Sequence, residues 1–212
     1  MPDFRHRVLV KILRNLKLKK LGKLNYKDLL SRTLFILSSP AKAWEQIASE
    51  DDAKSVLPAF VYPLIGLCGV CEFIGTFFGK EFIPDVFQLA LTHCCAVAVA
   101  LFGGFFLSSY LIEKMLQKWF ATTLSKDMIT VFVAYSMTVK FVLDMLSSLL
   151  SLKLLLVILQ IYTLFVVFEG TRRFLKIRDD KVTLFTLVAT IIILLCPSII
   201  EFVFNILSVT LR

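Results

Sequence analysis

Few side chains in this 212-residue chain have the chemistry for catalysis or metal binding, and most of those lie inside apolar runs. Cys68-Gly69-Val70-Cys71 has the spacing of redox and zinc motifs, and His93-Cys94-Cys95 follows on the next apolar segment. Both thiols of the first pair would share a helical face. Redox thiols, however, sit at electropositive, partly exposed helix N-termini. These stand among Leu, Gly and Val, where free cysteine packs as a small hydrophobe. Packing is the expected role, with no metal and no cofactor. His93 is expected to be buried and hydrogen-bonded to a neighbouring span. The sequence holds no Gly-rich phosphate loop, no Gly-x-Ser-x-Gly elbow and no His-Glu-x-x-His pair. Intramembrane hydrolysis needs a nucleophile–base or metal pair, and none presents itself. The chain reads as non-enzymatic.

Four charged residues, Glu72, Lys140, Asp144 and Glu201, fall within apolar segments. Measured at 1.5 Å per residue from the basic ends of their segments, Glu72 lies ~22 Å in, Asp144 ~24 Å, Glu201 ~28 Å and Lys140 ~18 Å. Each costs roughly 2.5–3.5 kcal/mol at a bilayer centre, and less near an interface. Two readings fit. Either Asp144 and Glu201 simply reach the outer headgroups, the span ends lying a few residues off, or the four line one polar cluster. In the cluster, Lys140 and Asp144 form an ion pair four residues apart on one helical face. Glu72 and Glu201 are then protonated or bind a cation, since three acids face one base.

The elements that must position these residues follow from composition. Apolar residues make up 58% of the chain and its mean hydropathy is +0.80, against roughly 45–50% apolar in soluble domains. Five segments approach the ~20 residues that cross a ~30 Å hydrocarbon core: Leu57–Phe78, Val86–Ile112, Met128–Leu150, Leu152–Phe168 and Val182–Leu211. Their continuous apolarity implies helices and not a barrel. Pro197 should kink the fifth or end its straight part. Ser147-Ser148 and Ser151 mark a tight hairpin between the third and fourth. Gly66, Gly69 and Gly75, with Gly103 and Gly104, would allow close helix approach.

Ahead of the spans, residues 1–56 carry 12 basic and six acidic side chains. No cleavable signal is visible, because the longest early apolar run is Val8-Leu9-Val10. On a helix Val8, Leu9, Ile12, Leu13 and Leu16 share one arc, with Arg7, Lys11 and Arg14 opposite. A basic amphipathic helix on anionic headgroups fits, with Arg7, Lys11, Arg14 and Lys17 as the contacts. A basic tail that only sets topology fits as well. Nucleic acid is not an expected partner of a segment tethered to membrane spans. A second helix is expected over 26–37, then a break at Ser38-Ser39-Pro40 and a further helix with Ser39 as N-cap and Pro40 in its first turn. Trp44 and Ile47 would share one side of it, with Trp44 at the membrane interface.

The division is thus 1–25 basic amphipathic, 26–56 juxtamembrane interfacial helices and 57–212 the five-span domain. The fold class is an all-α membrane protein. With the N-terminus inside, the cytoplasmic side holds 20 basic residues and the outer side three, Lys80, Lys153 and Arg212. The positive-inside rule then places the N-terminus in the cytoplasm and the C-terminus outside.

This order of features resembles the Yip family of five-pass membrane proteins, whose eukaryotic members interact with Ypt/Rab GTPases. The matching residues are Ser39-Pro40-Ala41-Lys42-Ala43-Trp44-Glu45-Gln46-Ile47, Tyr62-Pro63, Ala134-Tyr135-Ser136-Met137-Thr138, and Tyr162 with Gly170. They span about residues 30–205 and look most like the bacterial branch, which implies the cytoplasmic (inner) membrane. The eukaryotic Asp-Leu-x-Gly-Pro element is absent, and Val139-Lys140 stands where bacterial relatives often place proline. Rab binding is therefore not carried over. The resemblance implies a membrane-organising, trafficking-type or scaffold role. A small transporter or channel using the intramembrane acids and lysine is the alternative. Besides the bilayer, an unidentified protein partner or a homo-oligomer stays open.

Overall fold

The computed structural model describes residues 26–49, 55–79, 83–120, 124–150 and 158–210, all helices and their connections. The segment 1–25, with Arg7, Lys11, Arg14 and Lys17, lies outside the described residues, as does the 151–157 connection.

Two short helices come first, α1 (Tyr26–Ser38) and α2 (Pro40–Ser49). The break falls between Ser38 and Pro40. The Ser39 carbonyl accepts the Ala43 N–H at 3.0 Å, and proline takes the first helical position, where its missing N–H leaves no bond unmade. A π-helical turn (Leu57–Val61) then leads into α3 (Tyr62–Gly75), with the Tyr62 N–H bonded to the Leu57 carbonyl five residues back. Pro63 has no N–H to give, and a widened turn ahead of it accommodates the missing bond.

The longest helix, α4 (Pro84–Trp119), has 36 residues. At ~54 Å it outruns a ~30 Å hydrocarbon core and carries Glu113, Lys114 and Lys118 beyond the apolar stretch. The third expected span is divided into α5 (Lys126–Ser136) and α6 (Thr138–Leu150), with a turn at Met137. Ser125 caps α5, its side chain accepting the Met128 N–H at 3.2 Å. Residues 131–141 are all buried, which makes this the central helix of the bundle. After it come α7 (Tyr162–Arg173) and α8 (Asp179–Thr210).

Among the described residues, four helical stretches are long and apolar enough to cross a membrane: Leu57–Gly75, Pro84–Trp119, Lys126–Leu150 and Asp179–Leu207. The fourth expected span is represented by α7, its earlier part falling across 151–157. Against the lipid-facing rows of Leu, Ile and Phe stands one buried core. The fold is an all-α membrane bundle.

Glycine decides two crossings. A Cβ on Gly104 would lie 2.5–2.7 Å from the Pro197 ring and backbone, so α4 and α8 meet there backbone to backbone. On Gly75 it would collide with the Ser148 carbonyl, which ties α3 to α6. Gly66, expected at a helix contact, instead faces open space. The α8 helix continues past Pro197 to Thr210.

Candidate functional site: two polar constellations on one bundle

The bundle gathers its polar chemistry at two places. The first lies at the basic end, where α2, α5 and α7 meet. Trp44 is expected from its position before a span to sit at the interface. It is instead fully buried, with 0% exposure. The reason is a socket of the right shape and polarity. Its ring packs on Phe132, Tyr135 and Phe174 at centroid distances of 5.7, 6.1 and 5.4 Å. The indole Nε1–H donates to the Val166 carbonyl at 2.9 Å, so burial leaves no polar group unpaired. Gly170 forms the floor, since a Cβ there would stand 2.6 Å from the indole Cε2.

Four further bonds fasten the same end. Tyr162 Oη donates to the Leu37 carbonyl at 2.7 Å, closing α7 onto α1. An Arg32 guanidinium N–H donates to Tyr135 Oη at 3.0 Å. Arg173 donates to Glu169 at 2.6 Å and also pairs with Glu45 on α2. Those carboxylates, Glu169 first, hold the Arg173 guanidinium above its usual value.

Of the residues quoted for the family resemblance, Pro40, Trp44, Glu45, Tyr135, Tyr162 and Gly170 therefore belong to this hub or its immediate supports. Tyr62 does not: it is half-exposed and its ring meets Phe102 on α4 at 5.3 Å. Pro63 serves the turn that opens α3. Ser136 is buried beside Tyr135 in the chain, with its Oγ unpaired. Arg32, Phe132, Arg173 and Phe174 complete the hub and were not singled out from sequence. Two of them left a signal there, a carboxylate four residues earlier: Asp28 before Arg32 and Glu169 before Arg173.

The second constellation lies in the other half of the bundle. Lys140 is 6% exposed, and its Nζ reaches Asp144 Oδ1 at 3.0 Å and Oδ2 at 2.9 Å. One turn on, Ser148 Oγ hydrogen-bonds the Glu72 carboxylate and stands 3.0 Å from the Asp144 carbonyl. His93 Nδ1 is 3.7 Å from Glu72 Oε1. The expected buried histidine is thus a part-exposed one facing a carboxylate; its side chain keeps 42% of its surface. It lies too near the lipid-facing side of α4 to be enclosed. Glu201 on α8 lies within electrostatic range of Lys140, Asp144, Glu72 and His93. Direct contacts thus join α3, α4 and α6 through Glu72, His93, Lys140, Asp144 and Ser148, and Glu201 on α8 acts on them at longer range. Of the members of this patch, His93 and Ser148 needed the three-dimensional placement to be found.

The cysteines add packing. All five are free, and the Cys68 thiol points at the Phe141 carbonyl at 3.3 Å. Nothing among the known curated proteins or solved structures matches the chain. A model of one family does: the Yip1 domain aligns with residues 34–200, which contain all six hub residues of the Pro40–Gly170 set. By that match over most of its length, the chain belongs to the Yip1 domain family.

Proposed function

We propose that this protein is a non-enzymatic membrane-organising scaffold of trafficking type, set in a bacterial cytoplasmic membrane with its N-terminus inside and its C-terminus outside. Residues 1–25 act as a headgroup-binding arm, 26–56 as a docked platform and 57–212 as the five-span body. The observation that carries this reading is the hub. Trp44, Tyr162 and Arg173 fasten α1 and α2 to the spans, so the platform is held rigidly with the exposed side chains of Tyr26, Leu30 and Leu34 on its outer face. A photo-crosslinker at Leu34 should trap a discrete protein or lipid product in cells, and Trp44→Ala should abolish that product. Diffuse labelling that ignores Trp44→Ala would remove the platform reading.

The second constellation favours another reading, passage of a cation or proton past Glu72, Lys140, Asp144 and Glu201. Proteoliposome flux separates the two, because a scaffold leaves an imposed ion gradient unchanged. Orientation has its own test: cysteine labels at the Lys118 and Arg173 positions should react only from the inside, and at the Lys80 and Lys153 positions from the outside.

A further inference from the structure

A groove of about 320 Å³ runs between α7 and α8, lined by Ile161, Leu164, Phe165, Phe168, Thr186 and Leu187, with Thr183 at its mouth. It opens sideways, away from the core. Measured from the Arg173 and Asp179 helix ends, it extends from ~6 Å to ~18 Å along the bundle, the acyl depth of one leaflet of a ~30 Å core. An ordinary lipid-facing surface would be a flat row of side chains. This one is recessed, and it contains a polar group: Thr186 is 3% exposed and its Oγ1 has no hydrogen-bond partner.

Directly above the groove the chemistry changes sign. Arg172 lies with its guanidinium 5.7 Å over the Phe168 ring. It also lines a neighbouring cavity of about 220 Å³ with Glu169 and Arg173. Arg172 therefore lines the polar cavity and covers Phe168, a wall of the apolar slot. Between Glu169 and Lys181 stand five basic residues and three acids. Arg173 is engaged by Glu169 and Glu45, and Arg178 meets Asp180 at 3.1 Å. Arg172 is held only loosely, 4.0 Å from Asp179. Lys181 leans 5.7 Å over Phe120, its ammonium at the same end. A guanidinium above an apolar slot matches an anionic headgroup above an acyl chain.

We infer that the α7–α8 groove is a specific site for one anionic glycerophospholipid of the leaflet at the basic end. One acyl chain fills the slot along Phe165 and Leu187, and the phosphate meets Arg172. The hydroxyls of Thr183 and Thr186 face the upper chain, where an ester carbonyl accepts a hydrogen bond. The site is distinct from the 1–25 arm and holds whichever way the protein faces the cell.

The test uses the full chain in mild detergent, titrated with phosphatidylglycerol or phosphatidylcholine and read by native mass spectrometry. Phosphatidylglycerol should be retained several-fold better. Arg172→Gln should lower that retention about fivefold, the equivalent of ~1 kcal/mol per basic residue at an anionic surface. Leu187→Trp, which fills the slot from a half-exposed position, should reduce both lipids. Ile199→Trp, at an exposed position further along α8, should change neither. Equal retention of the two lipids, or an Arg172→Gln protein that behaves as wild type, overturns the inference. A phosphatidylglycerol with a photoactivatable acyl chain gives the second readout on the unmodified protein. Its label should concentrate on peptides holding 161–168 and 183–187, and a label spread evenly over these peptides, α3, α4 and the rest of α8 overturns the site.

Discussion

The hub and the intramembrane patch are both buried polar arrangements, but they are satisfied in opposite ways. In the hub, the indole and phenol donors meet neutral acceptors fixed by another helix, the Val166 and Leu37 carbonyls. Aromatic surface does the rest, and the ion pairs of Arg173 with Glu169 and Glu45 sit at the rim. In the patch, by contrast, a formal charge answers another in Lys140 against Asp144, with His93 beside the Glu72 carboxylate. Neutral, shape-matched contacts tolerate no change of volume. Charge pairs tolerate loss of both partners better than loss of one, because the survivor is left uncompensated in a low-dielectric interior. That difference teaches where rigidity resides and where adjustable chemistry resides.

Substitutions should break or sharpen the contrast. Trp44→Ala should have the largest effect, ~3–5 kcal/mol in a reversible unfolding assay, as expected for an aromatic cavity. No charge change elsewhere should rescue it. Lys140→Met should follow closely at about 3 kcal/mol, since it strands Asp144. Adding Asp144→Asn should recover much of that loss in detergent melting. A double mutant no better than the single would mean that the pair is uncoupled, and the contrast would collapse. Gly170→Ala should cost ~1–3 kcal/mol by overpacking against Trp44, with Trp44→Phe beside it recovering part. Smallest of all, Glu45→Gln should change stability by less than ~1 kcal/mol, because its partner Arg173 lies at an exposed rim. A larger loss there would move the hub's strength from packing to charge.

Much of the architecture was legible because membrane crossing imposes length and apolarity on the chain itself. The Ser38–Pro40 break was legible too, since proline and serine act locally. The Lys140–Asp144 spacing is likewise local, a single helical turn. Trp44 was misplaced for a definite reason: a tryptophan before a span has the same sequence signature whether it faces headgroups or a socket. The socket is made by Phe132, Val166, Gly170 and Phe174, none of them near it in the chain. His93 and Ser148 escaped similarly, because Glu72 approaches them only across helices. The division at Met137 had no breaker to announce it.

The Trp44 indole finds its acceptor 122 residues further along the chain, and this has a consequence for biosynthesis. At roughly 5–20 residues per second, ribosomes need about 6–25 s after Trp44 is made to deliver Val166. Throughout that interval α2 has its apolar side without a socket, and the membrane surface is the nearest place to shelter it. Docking of the N-terminal helices thus reports that the segment bearing Val166 and Gly170 has arrived, and it turns the start of the chain into a checkpoint on its later insertion.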